Sequence, residues 1–149
     1  MKLPGMMRMV NILSRCHAMY RADRLRENEL NPGFYNYVLP IHFNPGMSQE
    51  QLTRHVCLDK CNVTRHLARL EEGGYVERRS SETDKRVMLV YPTDKLEELV
   101  PTVREINHEW TDYLLEGLSE EEVEQFSSTL LKIARRAKEY VNSKDVIEE

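Results

Sequence analysis

The chain has 149 residues, of which 40% are hydrophobic and 31% are charged. This composition is typical of a folded domain and excludes a disordered chain. No apolar run approaches the roughly 18 residues that a membrane span needs, and no signal-peptide layout is present, so we expect a cytoplasmic protein without membrane contact. Three cysteines in a chain of this length do not indicate a disulfide framework.

The net charge of −4 is unevenly distributed along the chain. Residues 93–149 carry 15 acidic and 7 basic side chains, whereas residues 1–30 carry 3 acidic and 6 basic, and residues 48–87 carry 7 acidic and 8 basic. The acidity therefore belongs to a separate stretch, and the middle of the chain remains free to meet a polyanion.

The first third of the chain is predicted to be helical. Apolar and aromatic side chains recur at three- and four-residue spacing and predict an amphipathic helix over residues 6–27; they are Met6, Met9, Val10, Leu13, Cys16, His17 and Tyr20. Asn31-Pro32 is typical of a helix start, with Asn as N-cap. The helix that follows is strained by Pro40 and is expected to stop near residues 44–46.

Two capped helices and a hairpin are predicted next. Ser48 and Gln51 have the spacing of a capping box and begin a short helix with Leu52 and Val56 inward. Asp59 is the expected N-cap of a second helix that ends at Gly73-Gly74. Two β-branched and aromatic runs, YVERR and VMLVY, then predict a hairpin whose tip is longer than a usual turn.

The remaining chain is expected to form two helices. Thr93-Asp94 begins a long helix in which Pro101 predicts a kink. Ser119 and Glu122 form a second capping box, which begins the last helix. The predicted fold class is mainly α with a small β-hairpin.

Residues 60–72 have the pattern of a helix that reads DNA. Val63, Leu67 and Leu70 fall in one narrow sector, which predicts a buried face. The opposite face collects small, hydrogen-bonding and basic side chains, namely Cys61, Asn62, Thr64, Arg65, Ala68 and Arg69. Such a face suits the major groove, where an arginine contacts guanine through two hydrogen bonds. An ordinary surface helix of a bundle would show similar residues, so this alternative stays open at this stage.

The hairpin strengthens the nucleic-acid interpretation, since a helix-turn-helix followed by a hairpin with a basic tip is a winged helix. The tip carries Arg79, Lys85 and Arg86. Asp84 is placed to pair with Arg86 and hold its guanidinium in one orientation. The alternative is a solvated loop without a partner.

The run MSQEQLTRHVCLDKCNVTRHLARLEEGGYVERRSSETDKRVMLVYPTDK resembles the winged helix-turn-helix of the multiple antibiotic resistance regulator (MarR) family. The matching pieces are D-K-x-x-V-T-R, L-E-x-x-G-Y-V-E-R-R, the D-x-R of Asp84 and Arg86, and the L-V-Y-P-T that follows. The resemblance implies a homodimeric winged helix-turn-helix transcriptional regulator, most simply a repressor, that binds double-stranded DNA at a pseudo-palindromic operator. It also implies release by a small aromatic or phenolic ligand or by an oxidant.

The resemblance suggests how the chain is organised. Residues 1–149 form a single domain, in which residues 1–30 and 117–149 supply dimerisation helices, residues 31–92 the winged helix-turn-helix and residues 93–116 a long connecting helix. Apolar stripes on the first and last helices favour a dimer independently, because a small winged domain does not easily cover them. DNA contacts are expected from Ser48, Gln49, Lys60, Cys61, Asn62, Thr64, Arg65, Arg69, Arg79, Lys85 and Arg86.

The cysteines depart from the family pattern. Cys57 and Cys61 stand where small residues are usual, and their spacing does not match that of common zinc sites, so we expect no metal and no cofactor. Cys61 near a helix N-terminus is an oxidisable candidate, against the simpler alternative of a small inert residue. Cys16, one turn before Tyr20, is similar to the reactive pair of the hydroperoxide-sensing branch, but packing in a dimer core is favoured.

The sequence also bears on a ligand site and on two other functional classes. His17, Tyr20 and Arg21 lie where the family binds small aromatic acids, although they also suit a solvated face. No G-x-G-x-x-G, P-loop, G-x-S-x-G or H-E-x-x-H motif is present, so we do not expect an enzyme. The remaining alternative is a winged-helix protein-interaction module without sequence-specific DNA binding, which would have no reason to carry this basic set.

Overall fold

Seven helices and three strands are found in the computed structural model, which describes residues 5–144. In chain order the elements are α1 (Met6–Glu27), α2 (Tyr35–Phe43), β1 (Met47–Ser48), α3 (Gln49–Val56), α4 (Lys60–Glu72), β2 (Val76–Ser80), β3 (Met88–Pro92), α5 (Asp94–Glu97), α6 (Val100–Leu115) and α7 (Glu120–Lys144). The mainly helical class with a small sheet is confirmed, as are the bounds predicted for α1.

Three predicted helix caps are confirmed. The Ser48 hydroxyl accepts from the Gln51 backbone N–H at 3.1 Å, and the Gln51 side chain accepts from the Ser48 N–H at 2.9 Å. Ser119 and Glu122 make the same reciprocal pair at 3.2 and 2.8 Å. Asp59 accepts from the Asn62 N–H at 2.9 Å. Each cap satisfies backbone donors that the first helical turn leaves without partners.

The segment before α2 begins where it was predicted, but its first turn is a 3-10 helix. The Asn31 side chain accepts from the Gly33 N–H at 2.8 Å and starts the turn Pro32–Phe34. Pro40 lies inside α2, which ends three residues later at Phe43. The Asn44 backbone and side-chain amides both donate to the Pro40 carbonyl, at 3.2 and 3.0 Å, and so close the helix end.

The predicted hairpin is confirmed, and the sheet contains one further strand. β2 and β3 are antiparallel, with Val76 opposite Pro92 and Ser80 opposite Met88. β1 pairs with the other edge of β3, giving the order β1-β3-β2. Because β1 has only two residues, it shows no alternating pattern from which it could be predicted.

The long helix expected from Thr93 is instead two helices, so this prediction was wrong. α5 ends at Glu97 and α6 begins at Val100. Pro101 occupies the second position of α6. N–H groups of the first turn have no acceptor within the helix, so the N–H that proline lacks costs α6 no hydrogen bond. The Thr93 side chain does not cap α5; its hydroxyl donates to the Gly74 carbonyl at 2.6 Å and so ties this segment to the end of α4.

The core lies where α2, α3, α4, the sheet and the start of α6 meet. Its members are fully or nearly fully buried and almost all aliphatic: Tyr37, Val38, Ile41, Leu52, Val63, Leu67, Leu70, Val76, Val90, Leu96, Val100 and Val103. Burying one Leu or Val side chain contributes about 1.5–3 kcal/mol, so this cluster fixes the position of α4 against its neighbours.

The chain divides into two compact units, one ending at Trp110 and the other beginning at Thr111. Each has exposed apolar side chains on a helix. On α1 they are Met6, Met7, Met9, Val10, Ile12, Leu13 and Met19, and on α7 they are Phe126, Leu130, Leu131, Ile133, Tyr140 and Val141. Among residues 5–144, no helix combines the length and the apolar character that crossing a membrane would require.

Candidate nucleic-acid interface

Helix α4 presents a basic and polar face to solvent. Val63, Leu67 and Leu70 are completely buried, as the spacing predicted. The side chains expected to contact DNA lie on the other side: Lys60, Cys61, Thr64, Arg65 and Arg69 are exposed, and Asn62 is half-buried. The last turn is closed by Gly74, whose φ of 76° suits glycine.

Three of the polar side chains at the start of α4 are joined in a chain. The Asn62 side-chain amide donates to the Asp59 carboxylate, and Arg65 donates to the Asn62 carbonyl oxygen. The backbone N–H of Asn62 is the main reason why the pKa of Asp59 lies below its usual value. Asp59 therefore remains ionised at neutral pH. It lies at the N-terminus of α4, where the helix dipole favours a negative charge.

Helices α3 and α4 are also linked by a polar contact. The Gln49 amide donates to the Thr64 hydroxyl at 2.9 Å, and that hydroxyl donates to the Lys60 carbonyl at 2.9 Å. Two residues predicted to contact DNA, Gln49 and Thr64, therefore touch each other across the turn.

An open cleft of about 250 Å³ connects these helices to the wing. Its lining includes Ser48 and Gln49 at the start of α3, Lys60 at the start of α4 and Arg86 from the wing, with Glu50, Thr53, Val87 and Met88. Four of the residues predicted separately are therefore brought together by the fold. Two of them are cations, and two lie at the N-terminus of α3, which favours anions.

The wing tip holds its arginine in the predicted way. Arg86 Nε and Nη2 donate to the two Asp84 carboxylate oxygens at 3.1 and 3.2 Å, and the Arg86 backbone N–H donates to the same carboxylate at 3.0 Å. The Arg86 side chain is 91% exposed. This pairing is the main cause of the lowered pKa of Asp84. Lys85 is exposed beside it.

Arg79 was expected in the hairpin tip, but it lies on strand β2 and is more constrained than expected. Its guanidinium pairs with Glu77 and lies over the Tyr91 ring, 4.7 Å from the ring centre. The side chain is still 62% exposed, so it remains on the surface of the wing.

The residues predicted to form a ligand pocket lie together in an aromatic cluster between α1, α2 and α6. His17 and Tyr20 both stack on Trp110, with ring centres 6.1 and 4.8 Å apart. The His17 ring nitrogen Nε2 lies 3.1 Å from the Tyr35 hydroxyl. The Arg21 guanidinium lies 4.5 Å from the centre of the Tyr35 ring.

Polar groups at the edge of this cluster are paired. Arg21 donates to the Asn36 side chain at 3.2 Å, and Tyr20 donates to Glu109 at 2.8 Å. Burial, followed by the charge of Arg21, lowers the pKa of His17, and burial raises the pKa of Tyr35. His17 is therefore neutral at physiological pH. The cations of this cluster are Arg21 and, paired with Glu109 at 2.7 Å, Arg24.

A sequence model of the MarR family matches residues 30–88. The HTH-type transcriptional regulator BilQ of Clostridium symbiosum is 31% identical over 117 residues, which cover 78% of this chain and 81% of BilQ. The chain belongs to the MarR family of transcriptional regulators. The HTH-type regulator YybA of Bacillus subtilis is 26% identical over 129 residues, covering 87% of this chain and 86% of YybA.

A solved structure supports the MarR fold over the whole length. A MarR family regulator from Listeria monocytogenes, solved with a 26-mer DNA, superposes with a TM-score of 0.88 and covers 100% of this chain and 98% of that one, at 22% sequence identity. MarR proteins are regulators and not enzymes, which confirms the expectation that this chain has no catalytic role.

The three cysteines of this MarR chain are all exposed and free. Cys57 ends α3 in the left-handed region, with a φ of 54°, and its thiol lies 3.5 Å from the Arg54 carbonyl. Cys61 lies on the exposed face of α4 and Cys16 on α1. In residues 5–144 no three metal-ligating side chains gather into a group that could hold a metal ion.

Two contacts that support α4 were not predicted. Arg78 of β2 donates through its guanidinium to one Glu71 oxygen at 2.9 and 2.6 Å, and through its backbone N–H to the other at 3.3 Å. His66 Nδ1 lies 3.0 Å from the hydroxyl of the buried Tyr37. Both join residues on different elements, so helical spacing gives no sign of them. The same is true around the aromatic cluster, where the Tyr35 hydroxyl donates to the Asn107 side chain, Tyr20 to Glu109, and Trp110 stacks on two rings.

Proposed function

We propose that this MarR-family chain is a homodimeric transcriptional repressor that binds a pseudo-palindromic operator in double-stranded DNA. In this proposal α4 enters the major groove, and the wing reaches the neighbouring backbone and minor groove. The regulator is released by a small aromatic or phenolic ligand or by an oxidant, and it works in the cytoplasm.

The observation that carries the proposal is the cleft between α3, α4 and the wing. Ser48, Gln49 and Lys60 contribute two helix N-termini and one cation, and Arg86 contributes a second cation from the wing. These are the groups that hold a DNA phosphate. Arg65, on the exposed face of α4, is then directed toward base edges, where it has the two-donor geometry that suits guanine.

The proposal of a dimer rests on exposed apolar surface. Seven large apolar side chains of α1 and six of α7 are each between 40% and 69% exposed. Large exposed apolar side chains in such numbers on one helix commonly mark an interface. A second copy of the chain is the partner that the family implies, and two-fold symmetry matches a pseudo-palindrome.

The proposed ligand site is the aromatic cluster of α1, α2 and α6. Arg24 is already paired there with Glu109, whereas the partners of Arg21 are a neutral amide and an aromatic face. A carboxylate would pair with Arg21 more strongly than the Asn36 amide does, since charge-assisted hydrogen bonds are about twice as strong as neutral ones. The helix that carries Tyr35 also carries Tyr37, which contacts His66 of α4, so α2 adjoins both the ligand site and α4.

The test is a titration of the purified protein into a labelled duplex from its own upstream region and into a random duplex, at two salt concentrations. We expect tighter binding to the native duplex, a steep salt dependence and a mass of two chains in solution. Arg65→Ala should reduce the preference for the native duplex. Weak binding of equal strength to the native duplex and to the random duplex, with no tighter duplex selected from a randomised library, would contradict sequence-specific DNA binding. It would favour the protein-interaction module.

A further inference from the structure

Asn62 has both ends of its amide engaged within the protein. Its amide nitrogen donates to the Asp59 carboxylate, and its carbonyl oxygen accepts from Arg65. The three residues are spaced by three along the start of α4, which places them on the same side of the helix. Asp59 is itself fixed, because its carboxylate accepts from the Asn62 backbone N–H at 2.9 Å.

This arrangement conflicts with a direct role for Asn62 in reading bases. An asparagine reads adenine with its oxygen and one N–H together, both directed outward into the groove. Here the oxygen is directed at Arg65 and the nitrogen at Asp59, and Asn62 is half-buried while Arg65 is exposed. Arg65 has five N–H donors, so the one given to Asn62 leaves an outer edge for a guanine.

We propose that Asn62 is a positioning residue that holds the Arg65 guanidinium for base reading and does not itself read a base. The inference rests on the proposed DNA-binding function. Asp59, at the helix N-terminus, fixes the orientation of the Asn62 amide. That amide fixes the orientation of the Arg65 guanidinium, and Arg65 contacts the base. A free arginine would lose much rotational freedom on binding, and an arginine already held in place loses less.

The experiment is a double-mutant cycle on base discrimination. The probe is the tightest duplex that the wild-type protein selects from a randomised library, compared with the same duplex carrying 7-deazaguanine at the half-site guanines. That base pairs normally but lacks the N7 acceptor. The measured quantity is the ratio of the two dissociation constants, for wild type, Asn62→Ala, Arg65→Ala and the double variant.

We expect Arg65→Ala to abolish most of the discrimination. Asn62→Ala should reduce it about three- to tenfold, the effect of one hydrogen bond that orients a charged group. In the Arg65→Ala background the same change should have an effect of less than twofold, because the group that it positions is gone. Gln49→Ala is the matched control: it removes a neutral amide from the same surface without touching Arg65, so its effect should be the same in both backgrounds.

A second variant restores the row of hydrogen bonds with the amide and the carboxylate exchanged between positions 59 and 62. In Asp59→Asn combined with Asn62→Asp, the amide at position 59 still caps the helix and donates to the carboxylate at position 62, which accepts from Arg65. The net charge is unchanged, and any repulsion of DNA cancels in the ratio of the two dissociation constants. Discrimination should return to within about twofold of wild type.

The outcomes separate the inference from the function on which it rests. Unchanged discrimination in Arg65→Ala would overturn base reading by Arg65, and with it the proposed function. An equal loss from Asn62→Ala in both backgrounds would show that Asn62 contacts DNA itself and would overturn the inference alone. A lowered melting temperature in Asn62→Ala with unchanged discrimination, or no recovery in the exchanged variant, would also overturn it.

Discussion

Arg86→Ala tests how the wing contributes to binding. The Arg86 side chain is 91% exposed, and its hydrogen bonds and ion pair are with Asp84 of the same loop. Its loss therefore leaves the core intact, and we expect an unchanged melting temperature. In a dimer the change removes two cations. The slope of log K against log salt is negative, and it should become less negative by about 1.8. Over a fourfold rise in salt, from about 50 to 200 mM, the affinity advantage of wild type over the variant should shrink by about 12-fold.

Fluorescence anisotropy with a selected duplex at several salt concentrations measures this slope directly. The control is Arg104→Ala, which removes an exposed arginine of α6 that lies over the Phe43 ring. Its slope should equal that of wild type. A slope in Arg86→Ala that matches the control would refute the placement of Arg86 on the phosphate backbone, and a lowered melting temperature would refute the assumption that its role is confined to binding.

Three further predictions concern the support of α4. Leu67→Ala should lower the free energy of unfolding by about 2–5 kcal/mol in urea titrations, because Leu67 is completely buried; a loss below 1 kcal/mol would contradict its place in the core. Glu71→Gln should cost below about 1 kcal/mol at pH 7, since the carboxylate paired with Arg78 is partly exposed. Because that pairing lowers the pKa of Glu71, the difference from wild type should disappear as pH falls below 4.5, and a constant difference would argue against the ion pair. Burial is the main reason why the pKa of His66 is lowered, so His66 takes up a proton more readily in the unfolded chain. The free energy of unfolding should therefore fall as pH drops below 6.5, and His66→Gln should flatten this dependence. Equal slopes in the two proteins would exclude His66 as its source.

Most helix boundaries were predictable because their causes are local. Ser48 with Gln51 and Ser119 with Glu122 make hydrogen bonds between residues three apart, so the sequence spacing is also the spatial spacing. The buried face of α4 follows from the same logic, since 3.6 residues per turn place Val63, Leu67 and Leu70 in one sector. The hairpin was predicted from its two strand-forming runs, although it lacks a usual turn dipeptide.

The exceptions involve partners that are distant in sequence. Thr93 was expected to cap a long helix, but its hydroxyl donates to the Gly74 carbonyl, 19 residues earlier in the sequence. The helix that follows, α5, ends at Glu97. Strand β1 exists because Met47 pairs with Val90. Neither contact has a local pattern, and each forms only once the hairpin and α4 are packed.

The candidate site shows the same division. The sequence by itself determined which residues are basic, which face of α4 is exposed and that Asp84 pairs with Arg86, because these depend on helical periodicity and on neighbours in one loop. Only the tertiary structure brought Lys60 and Arg86 to one cleft, joined Arg78 to Glu71 and placed Trp110 on His17 and Tyr20. The physical reason is that such contacts depend on the path of the whole chain, which is fixed by burial of the shared core and not by the spacing of the residues that meet.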